Sequence, residues 1–227
     1  MDRHSRAEDR GSRVPGSVAR ADRRAAGFQV RFHGRGGQGV VAAAEILSMA
    51  AFDEGRYAQA FPSFGSERMG APVVSYCRID DRPIRTHEPI TEPDALLVQD
   101  PTLVHQVDLV SGVADAAYLL VNTSQDIAEL GLGTLVTRLS TDRVATCPAT
   151  ALALEHLGRP LPNAALLGGF AALTGRVSLD ALEKAVTDRF PGAPGMANVA
   201  AARAAYDHVA GRRHRSGHRE VTRAAAD

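Results

Sequence analysis

The chain has 227 residues, 44% hydrophobic and 23% charged, and its 26 basic and 26 acidic side chains cancel to a formal net charge of zero. That composition excludes wholesale disorder, and the length suits one domain with a sizeable core. The cancellation is uneven: residues 1–26 hold seven Arg against four acids and residues 211–227 five against two, +3 each, which leaves 27–210 at −6.

Both ends are rich in Arg, Ala, Ser and Gly and poor in large apolar side chains, so 1–26 and 211–227 read as a disordered basic leader and tail around a body of 27–210. They lack the interleaved aromatics that stack on bases, and with an acidic body no nucleic-acid partner is expected. No apolar run approaches the roughly 18–20 residues that span a bilayer, so no membrane partner is expected either. The first residues contain no apolar stretch and carry Asp2, Glu8, Asp9 and Asp22, which argues against a secretory or organelle leader. Cys77 and Cys147, far apart and outside any CxxC, fit a reducing cytoplasm.

Within the body, Phe28–His33 alternates as a strand and stops at a glycine turn, Gly34–Gly39, before a helical stretch from Val40. Tyr57–Phe61 is a short extended piece, followed by a Gly/Pro/Ser loop over 61–70. Pro72–Ile79, the pair Asp80-Asp81 and Pro83–Arg85 read as a β-hairpin. Short buried strands follow at Ala95–Val98, which ends at Asp100-Pro101, and at Ala117–Val121, which ends at Asn122, with further strands expected at Thr134–Leu139 and Val144–Thr146. The last third is helical over 148–158, 163–174, 178–190 and 195–210, with Ser178 as an N-cap and Ala181, Leu182, Ala185 and Val186 as an inner face. The whole predicts an α/β fold: a Rossmann-like, mostly parallel sheet with a β-hairpin insertion and a helical C-terminal third.

The glycine turn, Gly34-Arg35-Gly36-Gly37-Gln38-Gly39, stands between strand and helix, where backbone N–H groups can cradle an anion. Arg35 and Gln38 favour an anionic or polar partner; the competing reading is a tight turn with no ligand. A standard NAD site wants an acid about 20 residues on. Here Asp53 and Glu54 come too soon. A nucleoside-triphosphate loop wants Lys and Ser/Thr where Val40 and Val41 stand. No catalytic residue and no metal site are expected. His214 and His218, spaced i,i+4, lie in the tail, and no four-cysteine set exists for an iron–sulfur cluster. Cys77 reads as a core thiol. Cys147, before a proline at a helix start, is open to a lowered pKa, although a buried thiol is the simpler reading.

Taken together, the run FHGRGGQGVVAAA (32–44), the segment YAQAFPSFGSERMGAPVVSYCRIDDRPIR (57–85), PNAALLGGFAAL (162–173) and FPGAPGMANVAAARAAY (190–206) resemble the gamma subunits of 2-oxoacid:acceptor oxidoreductases, those of pyruvate:ferredoxin oxidoreductase above all. The resemblance covers about 27–210 and neither end. It implies a subunit that holds no cofactor itself, contributes to binding coenzyme A as co-substrate, and helps assemble a complex. Alpha and beta subunits would carry thiamine diphosphate and Mg, and a delta subunit [4Fe-4S] clusters that reduce ferredoxin. The reaction implied is oxidative decarboxylation of a 2-oxoacid, pyruvate first, to acyl-CoA and CO2. A branched-chain, aryl or oxalate complex, or a stand-alone nucleotide-binding module, is the alternative.

By the same resemblance Gly34, Gly36, Gly37, Gln38 and Gly39 match the family's turn, and Ser63 and Arg68 lie in the matched loop. Met69 stands where many members carry Arg. Arg68 would fork onto phosphate or be an ordinary loop cation, and Asn122 would meet the ligand or cap its own next turn. Asn163 and Asn198 are expected to serve capping or subunit contact.

Overall fold

The computed structural model describes residues 27–63 and 69–224, with side chains to Arg213. The expected leader, 1–26, therefore lies outside the described residues. Six strands, β1 (Phe28–Arg35), β2 (Tyr57–Pro62), β3 (Pro72–Asp80), β4 (Ala95–Val98), β5 (Tyr118–Asn122) and β6 (Val144–Cys147), form one sheet in the order β2-β3-β1-β4-β5-β6. The pairs β1–β4, β4–β5 and β5–β6 are parallel. Only β3 runs the other way, antiparallel to both β1 and β2, so the sheet is mostly parallel as expected.

The antiparallel part is not where the sequence put it. Pro83–Arg85 forms no strand, and the partners of β3 are β1 and β2, the latter joined to it through 63–71. The guanidinium of Arg78 takes the carbonyls of Thr86 and Glu88, and that of Arg31 donates to Leu109 O (2.9 Å) and Ser111 O (2.8 Å). These side chains, rather than a ladder, hold the segments that cross this face, where Pro83 has no N–H to donate.

Among the described residues six helices accompany the sheet: α1 (Val40–Asp53), the single turn α2 (Gly133–Val136), α3 (Ala149–Leu157), α4 (Asn163–Thr174), α5 (Leu179–Arg189) and α6 (Ala193–Ala224). The expected strand at Thr134–Leu139 is α2 and its exit. Leu132, Leu135 and Leu139, all buried, recur at helical spacing, and that period outweighed the β-prone composition. Ser178 does cap α5, accepting from Ala181 N at 3.2 Å. The tail expected to be disordered from residue 211 instead continues α6 to Ala224 in its backbone. Arg212 donates to Thr146 Oγ1 and Arg213 to the carbonyls of Ala172 and Leu173, and no proline interrupts 211–224. No described helix is long and apolar enough to cross a membrane.

The two faces of the sheet bury different cores. Val30 and Phe32 of β1, Cys77 of β3 and Leu97 of β4 meet α1, α4, α5 and α6 on one side. Leu96, Val98, Leu119 and Val121 meet Leu103, Leu109, Leu130 and Leu135 on the other. The first core depends on close helix contact: a Cβ at Gly168 of α4 would lie 1.9 Å from Ala202 O of α6. On the second side His33, 5% exposed, has its Nε2 without a hydrogen-bond partner. Burial, and then the neighbouring Arg31 charge, push the His33 imidazole down to about 3.

Two expectations follow. Gly168→Ala forces α4 and α6 apart and should cost roughly 1–3 kcal/mol, read as a lower urea midpoint. His33 is neutral in the fold but gains a proton in the unfolded chain below its ordinary 6.5. Stability is therefore complete above that value and falls by about 1.4 kcal/mol per pH unit as pH drops through the window toward 3. Urea unfolding at pH 7.5 and 5.5 should show that slope, and His33→Gln should flatten it.

Candidate functional site

The sheet changes direction between β1 and β4: from β1 the chain moves to β3 and β2 on one side, then returns to β4 on the other. In open α/β sheets ligands settle outside the carboxyl ends of the strands at such a switch. The glycine turn lies there. Gly34 and Arg35 end β1, and Gly39, left-handed at φ 72°, leads into α1 with no side chain capping the helix. The first N–H groups of α1 therefore face outward with the positive end of the helix dipole.

Glycine is required at three of these positions for different reasons. A Cβ on Gly34 would strike Val40 Cγ2 at 2.6 Å, so β1 and α1 touch there. Gly37, at φ 94°, lies under the Met69 thioether, with Sδ 2.5 Å from where a Cβ would stand. Gly39 lies under the Asn163 amide, whose Nδ2 would be 2.6 Å from such a carbon. Gly36 is tied down through its backbone: its N–H donates to Ala71 O (2.9 Å) and its carbonyl accepts from Gly70 N (3.0 Å). That pairing sets Met69, 87% exposed, over the turn.

The two polar side chains of the turn find their partner inside the protein, and it is Asp100. Arg35 Nε and Gln38 Nε2 both donate to Asp100 Oδ2, at 3.1 and 2.9 Å. The remaining Arg35 donors reach Gly70 O (3.0 Å), Thr102 Oγ1 (2.7 Å) and Gln106 Oε1 (2.9 Å), while Gln38 Oε1 accepts from Arg35 N (2.8 Å). Asp100 Oδ1 accepts from Thr102 N and Oγ1. Partial burial works against this carboxylate, but Thr102, Gln38 and Arg35 outweigh it and hold Asp100 below its usual range. The anion that Arg35 holds in this structure is thus a side chain of its own chain.

Beside this knot a cleft of about 510 Å³ opens over the ends of β4, β5 and β6, lined by Gln99, Asp100, Asn122, Pro148, Thr150 and Leu154 among others. Asn122 caps neither its own turn nor an empty space. Its Oδ1 accepts from Thr150 N (3.0 Å), and its Nδ2 donates to Thr150 Oγ1 and Gln99 O (both 2.7 Å), so it caps α3 across the sheet end. No lysine or arginine among the described residues lines this cleft.

Of the residues singled out in sequence, the structure gathers Gly34–Gly39 at the head of α1 and sets Asn122 on the neighbouring cleft. Ser63 stands elsewhere, at the end of β2 and two strands from β1, its N–H donating to Val74 O (2.9 Å). Arg68 lies outside the described residues. Cys77 is a core thiol as read, its pKa raised by burial. Cys147 is not lowered by its place before α3: burial pushes it up to about 12. Asn198 spends its amide on Pro194 O within α6. Asp100 and Asn163 are the two residues whose place at the turn sequence reasoning missed. Asp100 was visible only as an Asp-Pro strand end, and Asn163 as a helix-start asparagine.

Residues 29–208 match the family model described as pyruvate ferredoxin/flavodoxin oxidoreductase. Pyruvate synthase subunit PorC of Methanothermobacter thermautotrophicus is 47% identical over 182 residues, 80% of this chain and 96% of that one. The common gamma subunit of the pyruvate/ketoisovalerate oxidoreductases of Pyrococcus furiosus is 48% identical over 180 residues, 79% of this chain and 96% of that one. The crystal structure of pyruvate oxidoreductase subunit PORC from Thermotoga maritima superposes with a TM-score of 0.67 at 35% identity, over 79% of this chain and 95% of that one.

Because Asp100 neutralises Arg35 and positions both polar side chains of the turn, Asp100→Ala should cost about 2 kcal/mol and Asp100→Asn, which keeps one acceptor, about half of that. Urea midpoints of the purified chain measure both.

Proposed function

The chain belongs to the pyruvate ferredoxin/flavodoxin oxidoreductase family, and from that premise we propose that it is the gamma subunit of a cytoplasmic 2-oxoacid:ferredoxin oxidoreductase, with pyruvate as the 2-oxoacid. The observation that carries this reading is the near-complete overlap, 96% of its length, with a pyruvate synthase subunit at 47% identity. The reaction is then pyruvate plus coenzyme A plus two oxidised ferredoxins giving acetyl-CoA, CO2, a proton and two reduced ferredoxins. Decarboxylation on thiamine diphosphate and electron transfer through [4Fe-4S] clusters belong, on this reading, to alpha, beta and delta partners. Both thiols of this chain are buried and held protonated, which suits a subunit that binds rather than reacts.

Its own part is to hold coenzyme A. The uncapped head of α1, entered through Gly37 and Gly39, offers the N–H donors of its first turn to phosphate oxygens, and the Asn163 amide against Gly39 adds a side-chain donor. Arg35 and Gln38 act one step back: through Asp100 they fix the turn so that those donors are preset. Arg68 is the cation we assign to the same phosphates.

The similarity to a gamma subunit common to pyruvate and ketoisovalerate oxidoreductases favours a second reading, in which this chain also serves a branched-chain 2-oxoacid. Copurification with the tagged chain should bring down subunits that contain thiamine and iron–sulfur clusters, and substrate turnover by that complex separates the two readings. In the complex, Asn163→Asp places a carboxylate beside the phosphates and should weaken coenzyme A by about tenfold, worth about 1.4 kcal/mol, with the KM for pyruvate unchanged. Unchanged coenzyme A affinity would remove Asn163 from the site.

A further inference from the structure

The sheet has two edges, and they are treated differently. At β6 the exposed side is short, four residues, and Arg212 of α6 reaches Thr146 across it. At β2 six residues, Tyr57–Pro62, end the sheet, none of them buried and none charged. Sheet edges are ordinarily protected by Lys, by inward charges or by a cover, because unpaired backbone groups invite another strand. Within the strand only Pro62, which lacks an N–H, blunts this one.

The direction of the free groups can be read from the pairing. Ser63 N donates to Val74 O across β2–β3. By the alternation of antiparallel ladders, the odd residues of β2 spend their backbone on β3, while the N–H and C=O of Ala58 and Ala60 point away from the sheet. We propose that this edge is a self-association surface on which two copies of the chain pair antiparallel about Gln59. In that register Ala58 of one copy faces Ala60 of the other, so each free N–H meets a free C=O, reciprocally and on both sides of the two-fold axis.

The side chains agree with the register. Tyr57, Gln59 and Phe61 share one face, so Tyr57 of one copy stands opposite Phe61 of the other, twice, with Gln59 opposite Gln59 between them. Tyr57 is 47% exposed and Phe61 already stacks at 5.1 Å on Tyr76, a ready neighbour for a further ring. On the other face Ala58 and Ala60, small and packed toward the helices, let the two copies approach. Charge within the strand does not oppose the match, because Tyr57–Pro62 carries none. A foreign strand would satisfy the backbone but has no reason to supply the reciprocal aromatic pair.

The test uses a charge exchange at the position that pairs with itself. Sedimentation of the purified full chain should show a monomer–dimer equilibrium. Gln59→Lys and Gln59→Glu should each raise the dissociation constant about fivefold or more, since like charges then lie directly opposite. An equimolar mixture of the two should recover dimer as one-to-one heterodimer. Ala60→Pro, which removes an N–H that β3 does not use, should also leave monomer with an unchanged far-ultraviolet spectrum. A wild-type chain monomeric at every concentration, or a dimer indifferent to both charges, overturns the proposal. So does a mixture that stays monomeric.

Discussion

Asp100 is the point on which the geometry of this molecule turns. It follows β4 at the sheet's change of direction, and it binds the two polar side chains that leave β1. Without that carboxylate the turn would carry a partly buried guanidinium with no counter-charge among its four glycines, and the head of α1 would be less firmly placed. With it, Arg35 becomes a brace between four segments: the end of β1, the approach to β3, the end of β4 and the short helix Pro101–His105. The consequence is a turn fixed by its side chains and by the backbone of Gly36, which leaves the first N–H groups of α1 as its open donors.

Family membership gives this arrangement its meaning. On the function proposed above, this chain would contribute to catalysis by presenting a co-substrate in one place, which lowers the entropic cost of the encounter. The uneven covering of the sheet would suit that part. Five of the six helices lie on one face and bury its apolar residues, and α4 and α6 approach so closely that glycine is obligatory at 168. The other face is covered by single turns and loops held by Arg31 and Arg78. The rigid layer fixes α1 and Asn163 relative to each other, and the lighter layer forms the rim of the cleft.

Much of the fold was legible because its signals are local. Alternation in β1, the capping Ser178 and the apolar period of α5 each declare themselves within a dozen residues. The failures lack so local a signal. The hairpin arm expected at Pro83–Arg85 forms no strand, and the segment after it is held by Arg78, close in sequence, and by Arg31, distant in sequence; the supposed strand at Thr134–Leu139 lost to a leucine spacing that counts only once a core exists to receive it. At the site the glycine turn was plain, since close approach and positive φ leave a compositional trace. The roles of Arg35 and Gln38 were not: a polar residue aimed at a ligand and one aimed at Asp100 look the same in sequence. Cys147 shows the same limit, because its position before α3 promised acidity and its burial reversed that.

Several arginines among the described residues address main-chain carbonyls. Arg31 holds Leu109 and Ser111, Arg78 holds Glu88, Arg138 holds Val113, Arg143 holds Ala116, and Arg213 holds Ala172. A carbonyl looks alike whatever side chain it carries. The loops they grip are therefore free to drift in sequence without moving, whereas lysine, with no planar fork, is a poor substitute at the anchoring positions. Evolution can thus redecorate the rim that neighbouring subunits see while the strand ends beneath it stay in register. A scaffold required to fit more than one partner has use for that kind of tolerance.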